Sequence, residues 1–303
     1  MPESPSPTWN STPRASMTCS PKRLVVASRG PNSEHPTVNA GAATGLRLAG
    51  VQTLALTRRS VITEWRQLGN VIPGIVFPLL LATVYTHQFT RAILLPGFPV
   101  VDSFLDFVLP ASLVQSVSFG ATEAGTELAR DIENGFFDRL RASPCKRLPL
   151  LLGRLCGAVV VAAAKGILII AIFLMFGTEI AGGPAAAVVL VAAAVLLVIA
   201  IGGLGQVLAI LTGSQEAVNA TFPLVFTSIF MSSAFFPTNL MSGWFREVAE
   251  ANPVTWIIDP VRRLILEGWS WSDVGQALAV PLVISAVTVT MAVVALNRKL
   301  SSS

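Results

Sequence analysis

AGTELARDIENGFFDRLRASPCKRLPLLLGR, residues 124–154, is a dense run of charge set between two apolar segments. The chain around it is 52% hydrophobic and only 13% charged, so this run stands out as a cytoplasmic turn between membrane spans. Leu128, Ile132 and Phe136 recur at four-residue spacing, with Phe137 and Leu140 beside them. Glu127, Arg130, Asp131, Glu133, Asp138 and Arg139 surround that stripe. The pattern predicts a short amphipathic helix, too polar to span a bilayer and too apolar to stay bare. It either lies on the lipid surface or plugs into a soluble partner. Gly135 sits within the stripe, where it can end or bend the helix.

On either side of this run the chain divides into charge-free segments. A span needs roughly 20 apolar residues at ~1.5 Å rise each. Gln67–Thr90, Ile180–Gln215, Ala217–Phe245 and Val274–Asn297 carry no Asp, Glu, Lys or Arg. Leu155–Thr178 is interrupted only by Lys165. Phe107–Thr122 is the shortest, and reaches Ser103 if Asp106 sits at the interface. The expected fold is an all-α integral membrane protein with six transmembrane helices near 70–90, 103–124, 153–176, 185–212, 217–237 and 274–296. None of these runs alternates as the strands of an outer-membrane barrel would.

Lys and Arg placement sets the orientation. Six spans put both termini on one side, and that side with the 125–154 loop holds sixteen of the 21 basic residues. The termini and this loop are therefore expected in the cytoplasm. Arg91, Arg246, Arg262 and Arg263 fall on the other side. Topology accounts for the net charge of +4, so no nucleic-acid partner is implied. Cys19, Cys145 and Cys156 lie on or near the cytoplasmic side, where no disulfide framework is expected.

Residues 1–45 are rich in Pro, Ser, Thr and Asn without periodicity and read as a disordered cytoplasmic tail. Leu48, Val51, Ala55, Ile62, Trp65 and Leu68 then follow a helical period, with Arg58 interrupting the stripe. This predicts an N-terminal amphipathic helix lying flat at the interface. It serves as a surface anchor or as a lever that feels a partner below. The long external segment 238–273 holds Trp244, Trp256, Trp269 and Trp271, which suit a membrane interface. It is expected to dip back as short helices broken at Pro237, Pro253 and Pro260.

Catalytic signatures are missing from the sequence. It has no GxxxxGK[ST] phosphate loop, and no HExxH, CxxC or GxSxG. The chain is therefore not expected to bind and hydrolyse ATP by the phosphate-loop route. Within the spans, Lys165 is the costly residue, at about 2.5–3.5 kcal/mol for a central lysine on insertion scales. It faces a protein contact or wet cavity, or it snorkels. Gln115 and Gln206 are cheaper and can bond between helices. All three are candidates for the translocation path or a subunit contact. Ser116, Gly120 and Ala124 form a small-xxx-small row, as do Gly153 and Gly157.

The linear order of these features resembles a known family. An interface helix, the DFVLP start of span two (106–110), the ELARDIENGFFDRLRASP loop (127–144), the LLLGR run (150–154) and the external ANPVTWIIDPVR segment (251–262) follow in sequence. Together they resemble the ABC-2 type permeases, most closely the daunorubicin-resistance exporter group, over roughly residues 46–300. The resemblance implies two six-span permeases, identical or mixed, above two separate ATPase subunits that carry ATP and Mg. No cofactor is then bound by this chain itself. It implies a coupling helix in the loop after span two, and short re-entrant helices between spans five and six. Carried over, Glu127, Arg130, Asp131, Glu133, Phe136, Phe137, Asp138 and Arg139 become the ATPase contact, with Leu128 and Ile132 completing the docking stripe.

The implied function is ATP-driven export of a drug, lipid or glycan across a bacterial inner membrane. Two other classes compete with it. A secondary transporter driven by an ion gradient would favour mid-span carboxylates and internal repeats, and the spans show neither. A non-transporting membrane enzyme or scaffold is the third. A neighbouring reading frame for a phosphate-loop ATPase would separate the exporter from both.

Overall fold

The computed structural model describes residues 53–55, 57–58, 61–62, 68–101, 103–135 and 148–301, and every structural statement below concerns these. The tail expected over 1–45, much of the 46–69 helix, and Phe136, Phe137, Asp138 and Arg139 lie outside them. All regular elements among the described residues are helical. In chain order they are α1 (Leu68–Gln88), α2 (Phe104–Ser118), α3 (Glu123–Glu133), α4 (Leu148–Met175), α5 (Gly183–Thr212), α6 (Gln215–Asn219) and α7 (Thr221–Phe230). Then come α8 (Gly243–Ala251), α9 (Pro253–Leu266) and α10 (Trp271–Ser301), with single 3₁₀ turns at Ala92–Leu94 and Thr238–Leu240.

Five stretches are long and apolar enough to cross a membrane: Val71–Gln88, Phe104–Glu133, Leu151–Met175, Gly183–Thr212 and Trp271–Lys299. Four correspond to the expected first, third, fourth and sixth spans. The second differs in form. α2 stops at Ser118, after a rise of only ~22 Å, because Gly120 turns the chain at φ 90°. The charged helix α3 starts three residues later and belongs to the same stretch. The predicted boundary at 124 therefore falls inside α3, and the Ser116–Gly120–Ala124 row is broken by the turn. Asp106 is no interfacial accident. Its Oδ2 accepts from Ser103 N at 3.2 Å and Ser103 Oγ accepts from Leu105 N at 3.2 Å, a capping box that starts α2.

The fifth expected span, 217–237, is present as an interrupted pair, α6 and α7. Pro223 lacks the N–H that would continue α6 through Asn219, but suits the first turn of a new helix. Residues 215–230 rise only ~24 Å, and turns carry the chain on to Pro237. Aromatic packing holds this short helix, with Phe226 against Phe77 of α1 at 5.8 Å and Phe230 against Phe235 at 5.1 Å.

α5 is the central post. It packs most extensively on α10, then on α3 and α4, and also touches α2 and α9. Every residue of α2 except Leu105 is buried, so α2 is an inner helix. α1 and α10 show their apolar ridges outward: Ile72, Val76 and Leu80 on one, Val283, Val287 and Met291 on the other.

Candidate functional site

The first joint, which the sequence reading places in the cytoplasm, is built on α3. Ala124, Gly125, Leu128 and Ala129 fall on one face and are buried. Leu128 is fully enclosed with Leu151 of α4, Val207 and Ile210 of α5, and Leu296 of α10. This corrects the expected docking stripe. Leu128 is spent on the chain's own core, and Ile132 packs half-buried at the edge of the same cluster. The stripe also does not run on as one helix, because Gly135 adopts φ 70° and ends α3. Asn134 Nδ2 caps the end by donating to Arg130 O at 2.7 Å.

Beside that face, Glu127 and Asp131 share one cation from α4. Arg154, whose side chain is 6% exposed, pairs with Glu127 at 3.7 Å and with Asp131 more closely. A buried pair of this kind fixes register more than it adds stability. Thr57, in the segment before α1, donates to Gly153 O at 3.2 Å, next to Arg154. The segment before α1 and helix α3 thus converge on the start of α4. The outer face of α3 carries Arg130 and Glu133, both exposed. Arg130 Nε donates to Gln215 Oε1 at 3.2 Å, and Gln215 N donates to Glu133 Oε1 at 3.0 Å. The turn between α5 and α6 is clipped to the tip of α3 by these bonds. Thr126 adds a bond to Asn219 Oδ1 at 3.1 Å.

The three polar residues inside the spans serve separate joints. Lys165 is 3% exposed and donates to Phe119 O at 3.2 Å. That carbonyl closes α2, so the ammonium sits at the negative end of the helix. Lys165 therefore makes a protein contact within the chain. Gln206 is fully buried and donates to Leu151 O at 3.1 Å, tying α5 to α4. Gln115 is also fully buried, yet neither its Nε2 nor its Oε1 has a partner among the described residues. Ser112 and Ser116, three residues before it and one after, have hydroxyls in the same condition.

The 238–273 segment, expected on the outer side, holds a second joint that charge counting does not find. Counting groups Arg262 with the external cations, but it is 5% exposed. Its Nε donates to Phe107 O at 3.2 Å, and its Nη2 to Ser233 O at 2.8 Å and Ala234 O at 3.0 Å. Nη1 meets Asp259 Oδ1 at 2.9 Å, and the guanidinium carbon lies 3.8 Å from the centre of the Phe107 ring. Burial pulls its pKa down to about 10 against the opposing field of Asp259, so it stays charged at neutral pH. Asn252 caps α9 through Val254 N at 2.9 Å and donates to Ser228 O at 2.7 Å. ANPVTWIIDPVR is thus a knot that ties α9 to α2 and to the end of α7. Pro253 starts α9 as expected, whereas Pro260 lies within it without ending it. The sequence does carry a signal for Arg262. Helical spacing puts it on the apolar face with Ile258 and Ile265, where a charge needs partners.

Several membrane-crossing helices around a central post, with polar joints at both ends, define a multi-pass membrane protein. Residues 51–266 match the ABC-2 type transporter family, and the chain belongs to that family. It is similar to the daunorubicin resistance ABC transporter permease protein DrrB1 of Streptomyces coeruleorubidus, at 27% identity over 70% of this chain and 74% of the relative. It is similar at 25% identity to the "probable doxorubicin resistance ABC transporter permease protein DrrC" of Mycobacterium tuberculosis, over 77% of this chain and 83% of that one. A "probable multidrug ABC transporter permease", YbhR of Escherichia coli, is 24% identical over 64% of this chain and 52% of its own. By family the chain is a transport permease, not a catalytic subunit.

Proposed function

We propose that this chain is the membrane subunit of an ATP-driven exporter, working as a pair of permeases above two ATPase subunits that bind ATP and Mg. The observation that carries this reading is the cytoplasmic joint. The tip of α3, the α5–α6 turn and the start of α4 are bonded into one surface through Gln215 and Arg154. A push on that surface reaches three helices at once. The absence of a phosphate loop from the sequence is consistent with hydrolysis on another chain.

The residues proposed to meet the ATPase are Arg130 and Glu133, exposed on the outer face of α3 while bonded to Gln215, together with Phe136, Phe137, Asp138 and Arg139, which follow in sequence. Glu127 and Asp131 act behind them, through Arg154. Lys165 and Gln206 hold helix joints that must move or persist during transport. Gln115, with Ser112 and Ser116, offers unspent hydrogen-bonding groups to water or cargo when the helices part. The cargo class is a hydrophobic or amphipathic drug, lipid or glycan. The setting is a bacterial inner membrane with both termini in the cytoplasm.

Interface energy concentrates in buried aromatic anchors. Phe136→Ala or Phe137→Ala is expected to weaken ATPase docking by about 2 kcal/mol, roughly thirtyfold in affinity. Binding titrations between purified permease and ATPase measure this. Unchanged affinity in both variants would remove these residues from the interface and leave the 46–69 helix as the docking element.

A further inference from the structure

Between α9 and α10 lies a cavity of about 420 Å³ lined by Trp256, Asp259, Arg263, Gln276, Ala279 and Val280, among others. It plays no part in the cytoplasmic joint. Trp256, Asp259 and Arg263 follow at i, i+3 and i+7, so they share one face of α9. Asp259 commits Oδ1 to Ser233 and Arg262, while its Oδ2 makes no hydrogen bond among the described residues. Arg263 is ion-paired with Asp273, through Nε at 2.7 Å and Nη2 at 2.6 Å, and Nη2 also donates to Gln276 at 3.0 Å, while its Nη1 makes no hydrogen bond among the described residues. Asp259 and Arg263, each with one polar atom that makes no hydrogen bond among the described residues, therefore line the same hollow, one helical turn apart. Trp256 is fixed by its Nε1 donating to Glu250 O at 2.7 Å, and its ring is half exposed.

We propose that this cavity binds the zwitterionic phosphoethanolamine headgroup of a phospholipid. The ammonium would donate to Asp259 Oδ2 beside the face of Trp256, where a cation is attracted by the ring. The phosphate would accept from Arg263 Nη1 and from the Gln276 amide. Asp259 is paired with Arg262 and Arg263 with Asp273, so the site is neutral overall and suits a zwitterion better than a purely anionic or cationic headgroup. The volume lies toward the small end of the ~300–1,000 Å³ typical of ligand sites, which suits a headgroup. Below it, Ala279, Val283, Val287 and Met291 continue down α10 at four-residue spacing, and the last three are 61%, 52% and 49% exposed. That exposed ridge provides a track for an acyl chain. The topology of the proposed function places this lipid in the outer leaflet.

The test uses the full chain purified in detergent and short-chain phosphatidylethanolamine, phosphatidylcholine and phosphatidylglycerol, with bound lipid counted by native mass spectrometry. Phosphatidylethanolamine is expected to bind at least about tenfold tighter than phosphatidylglycerol, which lacks the ammonium, a gap of ~1.4 kcal/mol. Phosphatidylcholine, which cannot donate to Asp259, should also bind more weakly. Arg263→Gln is expected to cost about tenfold. Ala279→Trp, which fills the hollow without touching its charges, should do the same with an unchanged thermal midpoint. Phosphatidylglycerol binding as tightly as phosphatidylethanolamine, or Ala279→Trp binding like the wild type, would overturn the proposal. So would soluble glycerophosphoethanolamine binding as tightly as the lipid, since the ligand would then be a free phosphoamine. Detergent binding does not depend on orientation, so an inverted topology would change the leaflet and leave the headgroup preference intact.

Discussion

Gly125→Ala is expected to lower the thermal midpoint and the membrane yield of the permease sharply, while Gly205→Ala leaves both close to wild type. The two glycines face each other where α3 crosses α5, but they are not equivalent. A Cβ on Gly125 would run into the Gly205 backbone, reaching its Cα and O at 2.7 Å. A Cβ on Gly205 would meet Gly125 Cα and the Val218 side chain at 3.4 Å, an ordinary contact. Overpacking costs about 1–3 kcal/mol when side chains can shift, and here the obstacle is backbone. The same clash would prise Leu128 from its cluster and pull Glu127 and Asp131 away from Arg154. Thermal unfolding of both variants in detergent decides the matter. Equal effects at the two positions would mean that the crossing is not made here.

Arg262→Met is expected to be the most damaging change in the 238–273 segment, at about 3–5 kcal/mol, the cost of breaking a buried ion pair from one end. It would strip the carbonyls of Phe107, Ser233 and Ala234 of a shared donor and leave Asp259 with Ser233 alone. Arg262→Lys should recover little. A single ammonium cannot reproduce the planar fork that bonds in three directions and stacks on Phe107. The measurement is again thermal unfolding, with Arg246→Met as control, since that side chain is half exposed in an i,i+4 surface pair. An Arg262→Lys protein as stable as wild type would show that charge alone, rather than the fork, holds the knot.

The long spans are legible in the sequence because their signal is local. The expected spans 185–212 and 274–296, read straight from charge-free runs, fall within Gly183–Thr212 and Trp271–Ser301. The second span is harder, because charge counting treats the cap Asp106 as an interruption and does not register the turn at Gly120 at all. For α3 the sequence announces an apolar stripe, which says that a face is buried and leaves open what buries it. Leu128 faces its own chain, because Gly205 on α5 allows an approach that no pattern within 124–154 reveals. Arg262 escapes for a related reason. Topology rules count cations by segment, and the carbonyls that hold this one come from Phe107, Ser233 and Ala234, far away in sequence. The family order of motifs is legible throughout, since it depends on succession and not on contact.

Everything proposed for this permease turns on whether it transmits the work of a separate ATPase. The full chain can be reconstituted in proteoliposomes with a phosphate-loop ATPase sought among the neighbouring reading frames, and ATP hydrolysis followed. The chain is expected to bind this ATPase and accelerate hydrolysis. Replacing Phe136 and Phe137 together with serine should abolish the acceleration without preventing insertion. An ATPase that neither binds the chain nor responds to it would refute the proposed function.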